Sequence, residues 1–222
     1  MPLEGLEILL VGGAGGLGSA TAELLQAERA RVVIGSRQHG VAADITQPHD
    51  RKRLLDSVPN LYGLVVFAGT PARGEIADAL RPSFEVNYEG PILLARETAE
   101  RMKAARTAGA IVLFASMQAV ALFPGSTAYA GAKAALAHAA RILAKECRGP
   151  ANIRVNVIAP GVIKAGMAEA SIASGKYDHY LTDGAIPRYG RATDIARAVR
   201  FLLEPDNYIT GQVLSVDGGI TL

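Results

Sequence analysis

Tyr129 and Lys133 lie four residues apart in an alanine-rich stretch, SerThrAlaTyrAlaGlyAlaLysAlaAla (126–135), whose composition favours helix. This spacing places both side chains on one helical face, about 5–6 Å apart at Cβ. Ser116 stands thirteen residues before Tyr129, after the apolar run AlaIleValLeuPheAla (110–115). A hydroxyl, a phenol and an ammonium group of this kind can bind a carbonyl oxygen and exchange a proton with it.

A glycine-rich turn, ValGlyGlyAlaGlyGlyLeuGly (11–18), follows the first apolar run and precedes a helical stretch. Its glycines allow the backbone to bend sharply and approach a pyrophosphate, which the N–H groups at the helix N-terminus would bind. Alone, this turn and the Tyr-x-x-x-Lys pair are weak signals, because both occur in ordinary loops and helices. Together they predict a dinucleotide site, with the cofactor bound here by Gly12, Gly15, Gly16, Leu17 and Gly18.

Two residues at the end of the second apolar run indicate which dinucleotide is bound. An acid at this place commonly binds the ribose 2′-hydroxyl of NAD. Here the position is Ser36, and Arg37 follows it. With no carboxylate to repel it, a 2′-phosphate would accept a charge-assisted bond from Arg37 and another from Ser36. NADP(H) is therefore the preferred cofactor and NAD(H) a possible one; in the alternative interpretation Arg37 is an ordinary surface residue.

The length of 222 residues and the hydrophobic fraction of 50% predict one domain, 1–222, with a sizeable core. The net charge of +2 and the scattered basic residues argue against a nucleic-acid partner. The densest basic cluster, ArgLysArg (51–53), is interpreted as a solvated helix face. The single cysteine, Cys147, excludes an internal disulfide and fits a reducing compartment. No metal site is predicted.

Neither a signal peptide nor a membrane span is expected. The first apolar stretch runs only from residue 8 to 11 and follows acidic residues. No run approaches the ~18 apolar residues of a membrane span. We therefore expect a cytoplasmic protein with no membrane partner.

Short apolar runs alternate with helical stretches such as 19–27 and 194–203. Most runs are continuous rather than alternating, as in strands covered on both faces. The pattern predicts an α/β fold, a Rossmann-type doubly wound parallel sheet with helices on both faces. Residues 161–187 lack a strong apolar period, so we expect short helices or a mobile substrate loop there. The predicted strands are 7–11, 31–34, 63–67, 111–115, 155–158 and 213–216.

With these residues in place, the chain resembles a classical short-chain dehydrogenase/reductase along essentially its whole length. The glycine turn matches that family's Thr-Gly-x-x-x-Gly-x-Gly, with Val11 in place of the Thr. The C-terminal GlyGlnValLeuSerValAspGlyGly (211–219) resembles the family's last strand and tail. The residues that match the catalytic tetrad are Asn87, Ser116, Tyr129 and Lys133.

The resemblance also implies contacts to the cofactor outside the glycine turn. In AspIleThr (44–46), Asp44 would contact adenine through its side chain and Ile45 through its backbone. ProGly (160–161) resembles the turn that passes the nicotinamide. The further residues assigned to the cofactor are Ala68, Gly69, Tyr129, Lys133, Pro160, Gly161 and Ile163.

Three departures from the family pattern stand out. The family's Asn-Asn-Ala-Gly is ValPheAlaGly (66–69) here, and Phe67 has no amide to stiffen the turn. Ala165 stands where a Thr often binds the nicotinamide carboxamide. Only six residues separate Arg37 from Asp44, where the family usually has a helix and a full strand. We expect a more open adenine side.

The resemblance implies that Tyr129 exchanges a proton with a carbonyl or alcohol oxygen while a hydride moves to or from the nicotinamide. Lys133 is expected to lower the tyrosine pKa, by about 1–3 units for one nearby cation, and to hold the ribose hydroxyls. Ser116 would orient the same oxygen. Asn87 would anchor a water that links Lys133 to solvent.

Two other functions compete with an NADP-dependent ketone or 3-oxoacyl reductase. One is an enzyme of the same fold, either an NAD-dependent alcohol dehydrogenase or a sugar-nucleotide epimerase. The epimerase is disfavoured because its relatives carry a further C-terminal domain. The other is an NADP-binding sensor without turnover, which has no need of Ser, Tyr and Lys together. His179 is expected to be a surface residue, and the candidate substrate contacts are Met167, Ile172, Tyr177, Tyr180 and Ile186.

A homotetramer is expected. The stretch from about Ala79 to Ala108 and the helix with Tyr129 would supply outer faces for helix packing. The apolar residues at the end of the tail would be partly exposed in a monomer. A dimer that uses only the helical interface is the alternative. The small residues expected to permit close helix approach are Ala134, Ala135, Ala139 and Ala140.

Overall fold

Seven strands form one parallel sheet in the computed structural model, which describes residues 2–222. The strand order β3-β2-β1-β4-β5-β6-β7 reverses between β1 and β4. Ligands of open α/β sheets bind at such a reversal, outside the carboxyl ends of the strands. The strands are β1 (Glu7–Val11), β2 (Arg31–Ser36), β3 (Val41–Ala42), β4 (Leu61–Val66), β5 (Gly109–Phe114), β6 (Ile153–Pro160) and β7 (Val213–Val216).

Helices cover both faces of the sheet, because the continuous apolar strands bury side chains in two directions. Leu25 of the first helix and Val199 of the last pack in one core. Leu54, Leu94 and Leu136 from three other helices pack in the second core. The helices are α1 (Gly16–Ala27), α2 (Pro48–Asp56), α3 (Ile76–Phe84), α4 (Gly90–Ala105), α5 (Thr127–Glu146), α6 (Glu169–Ala173), α7 (Asp178–Thr182) and α8 (Ala192–Leu203).

The predicted α/β fold is confirmed: all six predicted apolar runs fall on strands, and both predicted helical stretches fall on α1 and α8. The two-residue strand β3 was not predicted, because residues 41–42 are too short to show a period. The segment 161–187 forms short helices, as expected, including a 3-10 turn at Gly166–Ala168. A bridge between Ile163 and Gly190 ties the two ends of this segment together.

A π-helical turn, Glu85–Glu89, joins α3 to α4 within the stretch that the sequence indicated as one long helical region. The N–H of Gly90 donates to the carbonyl of Glu85 five residues earlier. Pro91 has no N–H, so it cannot donate to the Asn87 carbonyl four residues before it. The regular helical ladder is therefore interrupted at Asn87. π-helical turns of this kind occur often at functional sites.

Residues 2–222 lack two kinds of feature. No helix in that range combines the length and apolar character needed to cross a bilayer. The same residues contain no cluster of three or more His, Cys, Asp or Glu side chains suited to a metal ion.

Candidate active site

Tyr129 and Lys133 lie on the first turns of α5 and project towards the carboxyl end of β5. The Lys133 Nζ is 6.0 Å from the centroid of the Tyr129 ring. It also donates a 2.8 Å hydrogen bond to the carbonyl of Phe114, the last residue of β5. Only 2% of the Lys133 surface is exposed. This burial lowers the pKa of Lys133 to about 7, because the charged ammonium is poorly solvated there.

Ser116 caps a 3-10 turn, Met117–Ala119, just beyond β5. Its Oγ accepts a 3.2 Å hydrogen bond from the N–H of Gln118, which fixes the side chain while its own proton stays available for donation.

Burial raises the pKa of Tyr129 above its usual value, and hydrogen bonding with Ser116 opposes that rise. Burial is therefore the main influence on the Tyr129 pKa in this structure, and the expectation that Lys133 lowers it stays a prediction.

The Asn87 side chain is fully buried and its amide is engaged at both ends. Its Oδ1 accepts a 3.0 Å bond from the N–H of Thr70, and its Nδ2 donates a 2.9 Å bond to the Thr70 carbonyl. Nδ2 also donates to the Ser83 hydroxyl at 3.1 Å. The side chain therefore fixes the turn after β4 rather than standing free for a water. Ser83 was not predicted as part of the site, although its position four residues before Asn87 places both on one helical face.

Gly69 brings Asn87 and Lys133 into one cluster. A Cβ placed on Gly69 would lie 3.0 Å from Asn87 Oδ1 and 3.2 Å from Lys133 Nζ. Such contacts are tighter than side chains normally make, so the lysine ammonium and the π-helical turn approach each other only because this residue is glycine. The turn after β4 thus connects the interrupted helix to α5.

Phe67 stands in this turn at a position where the family has an Asn, so its side chain offers no amide to stiffen the turn. Its backbone N–H donates to the Val11 carbonyl at 2.8 Å, which continues the bonding between β4 and β1. Its ring lies 4.5 Å from that of Phe114, centroid to centroid. Together with Asn87, these contacts stiffen the turn in place of the absent amide.

The glycine turn after β1 fits a dinucleotide. Gly12 has φ +78°, and a Cβ there would lie 2.9 Å from the backbone N of Ala68. Gly15 precedes α1 and has no side chain to cap it, so the first N–H groups of the helix are left for an anion. A Cβ on Gly18 would fall 2.3 Å from the Gly13 Cα, so Gly18 serves close packing of the turn. Leu17, the residue between Gly16 and Gly18, is partly buried.

Gly16 contacts the start of residues 161–187, the segment expected to contact substrate and called the substrate segment below. A Cβ on Gly16 would lie 3.1 Å from the Ala165 Cβ and 3.2 Å from the Gly166 N. The substrate segment therefore borders the same cradle as the glycine turn. Ala165 itself is buried and offers only a methyl group at this place.

Ser36 and Arg37 lie at the end of β2, close to the edge of the sheet. The Ser36 hydroxyl accepts from the N–H of His39 at 2.7 Å and donates to the His39 carbonyl at 2.7 Å. Its proton is therefore already used within its own turn. The Arg37 guanidinium is exposed, and no carboxylate of residues 2–222 pairs with it.

The AspIleThr turn follows β3. The Asp44 Oδ1 accepts hydrogen bonds from both the N–H and the hydroxyl of Thr46, at 2.9 and 2.8 Å. Ile45 is buried, with 5% of its surface exposed. Its carbonyl accepts a 2.9 Å bond from Arg51 of α2. Arg51 is itself only 4% exposed, so the interpretation of ArgLysArg (51–53) as a solvated face is wrong for its first residue.

Pro160 and Gly161 end β6 beside the tail of the chain. The Gly161 N–H donates to the Val216 carbonyl at 3.1 Å, and a Cβ there would lie 2.6 Å from the Asp217 Cα. Ile163 is 4% exposed and packs in the core shared by α1 and α8. The structure thus places Gly161 and Ile163 as packing residues at the carboxyl end of the sheet.

A cavity of about 160 Å³ opens between the substrate segment and the loop before α5. Tyr177 stacks on Tyr180 at 6.3 Å between centroids, and the exposed His179 ring lies 3.9 Å from that of Tyr180. Ile186 is 3% exposed and does not line the cavity; it packs near Gly218. Met167 is half exposed and also lies outside the lining. The lining consists of Gln118, Phe123, Pro124, Gly125, Ser126, Lys176, Tyr177, His179 and Tyr180.

Comparisons with known proteins find relatives along essentially the whole chain. The family model described as Enoyl-(Acyl carrier protein) reductase matches residues 12–221. Dehydrogenase/reductase SDR family member 4 of Sus scrofa is 30% identical over 247 residues, which cover 98% of this chain and 88% of that protein. The 3-oxoacyl-(acyl-carrier-protein) reductase FabG of Thermotoga maritima is 28% identical over 250 residues, which cover both chains fully.

A solved structure gives the same result at the level of the fold. ElxO, determined with NADP bound, superposes with a TM-score of 0.86 at 25% identity, and the match covers 97% of this chain and 98% of that one. The site geometry, the family match and these relatives lead to one conclusion: the chain is an oxidoreductase of the classical short-chain dehydrogenase/reductase family.

Proposed function

We propose that this protein is an NADP(H)-dependent oxidoreductase that interconverts a ketone, or a 3-oxoacyl group, and the corresponding secondary alcohol. The observation that carries the proposal is the convergence of Ser116, Tyr129 and Lys133 at the carboxyl end of β5, beside the glycine turn after β1. The reductase relative from Thermotoga maritima supports the substrate class.

The dinucleotide would lie across the carboxyl ends of the strands. Its pyrophosphate would bind the N–H groups of Gly16, Leu17 and Gly18, and its ribose hydroxyls would bind Lys133 Nζ. A bound nicotinamide would supply or accept the hydride. Residues 160–166 would border the nicotinamide side, because Ala165 already contacts Gly16.

Tyr129 would act as the general acid in reduction. Its raised pKa keeps the phenol protonated at neutral pH, which is the form that donates a proton to the carbonyl oxygen. The Ser116 hydroxyl would donate a hydrogen bond to the same oxygen, since the Gln118 N–H already occupies one of its acceptor positions. In alcohol oxidation the proton would move in the opposite direction: Tyr129 would accept it from the alcohol, while Ser116 would hydrogen-bond the same oxygen.

Asn87 would act as a positioning residue. Its amide fixes the turn after β4, and the interruption at Pro91 leaves its backbone carbonyl without the usual helical donor. That carbonyl, rather than the side chain, would hold the water that links Lys133 to solvent.

NADP(H) is preferred over NAD(H) because Arg37 is exposed and unopposed by a carboxylate within the described residues. NADP bound to the similar fold of ElxO supports this choice. The second candidate, an NAD-dependent alcohol dehydrogenase, is favoured by one observation. The Ser36 proton is used within its own turn, so Arg37 would bind a 2′-phosphate with less help.

The assembly would be a homotetramer. A groove of about 230 Å³ lies between α4 and α5 on the outer surface, lined in part by Ile92, Arg96 and Ile142. Ala134 is exposed, but Ala140 is 1% exposed in the core, so it cannot contribute to helix approach between subunits. The tail residue Leu222 is fully exposed in the single chain. These apolar surfaces support one interface built by helices and another by the tail.

The test is oxidation of NADPH and of NADH by the purified protein over a panel of ketones, quinones and 3-oxoacyl thioesters. We expect turnover of at least one ketone or 3-oxoacyl thioester, with the higher kcat/KM for NADPH. Binding of NADPH without turnover of any compound would indicate the non-catalytic sensor. A higher kcat/KM for NADH would favour the alcohol dehydrogenase.

A further inference from the structure

The third strand gives little support to the AspIleThr turn, 44–46. β3 pairs with β2 at two positions only, Val41 with Gly35 and Ala42 with Ser36. One further backbone bond, from the Ala43 N–H to the Ser36 carbonyl, ends the contact with the sheet. Beyond residue 43 the chain leaves the sheet edge. Something other than strand pairing must therefore hold the turn in place.

Helix α2 supplies that support through side chains that reach back to the preceding backbone. The Asp50 Oδ2 accepts a 2.7 Å hydrogen bond from the Asp44 N–H, and this bond lowers the pKa of Asp50. The Arg53 Nε donates a 3.0 Å bond to the Ala42 carbonyl. Asp50 and Arg53 also form an ion pair at 2.7 Å. The two residues thus fix the chain at both sides of Ala43.

Arg51 makes the deepest of these contacts. Its Nη1 donates to the carbonyls of Ile45 and Thr46, at 2.9 and 3.4 Å. Its Nε donates to both carboxylate oxygens of Glu97 on α4, at 3.0 and 3.2 Å. A buried guanidinium needs such a partner, because an unpaired charge in the interior is strongly disfavoured. Glu97 therefore both neutralises Arg51 and sets its direction.

The opposite side of the turn rests on α4. A Cβ on Gly90 would lie 2.9 Å from Ile45 Cγ1 and 3.1 Å from the Ile45 carbonyl oxygen. The turn is thus held between the first residue of α4 and the Arg51–Glu97 pair. This arrangement fixes the backbone of Ile45 before any ligand binds. That backbone is the part of Ile45 expected to contact adenine.

We propose that Arg51, oriented by Glu97, is a positioning residue for the adenosine half of the dinucleotide in this chain. It supplies the rigidity that a longer third strand would provide and so lowers the ordering cost of binding. The inference rests on the proposed function, because it takes the 44–46 turn as the adenine contact.

The test compares dissociation constants for NADPH and for ADP-ribose, a probe that carries the adenosine half without nicotinamide. In Arg51→Gln we expect both constants to rise by about tenfold, as for the loss of a hydrogen bond from a charged group. The kcat at saturating NADPH should stay within about twofold of the wild type, because the hydrogen bonds of Arg51 go to the 44–46 turn and to Glu97 and to none of the proton-transfer residues. Glu97→Gln, which keeps the Arg51 side chain but removes the carboxylate that orients it, should raise both constants by a smaller factor.

Arg101→Gln is the matched control. Arg101 also joins α4 to α2, through a 2.6 Å bond to Asp56, but it donates to no backbone group of the turn. We expect its dissociation constants to equal those of the wild type. If Arg51→Gln does not fold, Glu97→Gln decides the question alone, and unchanged constants in it overturn the proposal.

Other results would also overturn the inference. A rise for NADPH but not for ADP-ribose would place the effect at the nicotinamide side. Equal losses in Arg101→Gln, or a parallel fall in kcat, would indicate general loosening of the fold. Failure of the proposed function has a different signature: dinucleotide binding without turnover by the wild type refutes the reductase and still allows the Arg51 comparison.

Discussion

Lys133 is a buried base whose protonation is linked to folding. Its pKa falls from 10.5 in the ordinary lysine to about 7. Between these values the unfolded chain binds a proton that the folded chain does not. The free energy of unfolding therefore rises with pH across this window. Below pH 7 both states are protonated, and the cost of burying the charged ammonium lowers the free energy of unfolding by its full amount.

We accordingly predict a pH-dependent difference between the wild type and Lys133→Met. The Met variant removes the buried amine, so it should gain stability relative to the wild type most at pH 7 and least near pH 10. Urea denaturation of both proteins at pH 7 and pH 9 measures the difference, and other titrating groups cancel. A difference that does not change with pH would mean that Lys133 keeps an ordinary pKa.

We also predict that cofactor choice depends on two residues at the end of β2. In Ser36→Asp combined with Arg37→Gln, the new carboxylate can accept from the His39 N–H as Ser36 Oγ does, and it repels a 2′-phosphate. We predict that the ratio of kcat/KM for NADPH to that for NADH falls by at least about tenfold. Arg37→Gln alone serves as the control and should give part of the change. An unaltered ratio would exclude Arg37 from phosphate binding.

At the scale of elements, six of the seven strands were predicted correctly because continuous apolar runs leave a clear signal in the sequence. For helix α2 the sequence indicated a helix face only at residues 51–53: Pro48 suits a first helical turn, but the polar sequence PHDRKRLLD shows little apolar face from which to set the bounds. The π-helical turn at Asn87 was also beyond the sequence. It depends on Pro91 and on the packing of Thr70 against Asn87, and that contact joins residues distant in the chain.

The site was predicted only in part, because some of its features depend on contacts between residues distant in the chain. Motifs locate Ser116, Tyr129 and Lys133, but the protonation of Lys133 and Tyr129 follows from burial, which no local pattern shows. Arg51 was interpreted as solvated because charged residues are mostly exposed. Its carboxylate partner, Glu97, lies on another helix, so the pair is visible only in the folded chain.

The close approach of elements at Gly69 leads to a prediction. A methyl group there would displace Asn87 Oδ1 or Lys133 Nζ, which lie 3.0 and 3.2 Å from the added atom. Gly69→Ala should therefore lower kcat by about 10-fold to 100-fold, as expected for a catalytic group displaced by up to an ångström. Steady-state kinetics at saturating cofactor measure the effect.

Gly131→Ala is the control on the same helix as Tyr129. The nearest atom to its added methyl is 4.0 Å away, on the Phe84 ring. The change should leave kcat unaltered and raise the free energy of unfolding by about 0.5–1 kcal/mol, because alanine favours helix over glycine. If Gly69→Ala keeps the wild-type kcat, the contact between the π-helical turn and α5 is not needed for catalysis.

At the scale of the whole molecule, the sheet leaves β7 at an open edge beside an exposed tail. Leu214 is 37% exposed and Leu222 fully exposed in the single chain. On another surface, Ile142 of α5 is 49% exposed beside the groove between α4 and α5. Two separate apolar surfaces on one subunit suit an assembly with two kinds of interface.

We therefore predict a homotetramer in solution, with these two surfaces buried. Light scattering of the purified protein at micromolar concentration measures the mass directly. A stable dimer would show that only the helical surface is used, with the tail folded over its own subunit. A mass near the 23.2 kDa of one chain would refute both forms.

The central claim is that the Tyr129 phenol transfers the proton in a carbonyl reduction that depends on NADPH. The most direct measurement compares the wild type with Tyr129→Phe, using the substrate that the wild type reduces fastest. Phe keeps the ring and its packing but has no proton to donate. We predict that kcat falls by at least about 10²–10⁴-fold while the dissociation constant for NADPH barely changes. A Tyr129→Phe protein that reduces the substrate at nearly the wild-type rate would contradict the mechanism.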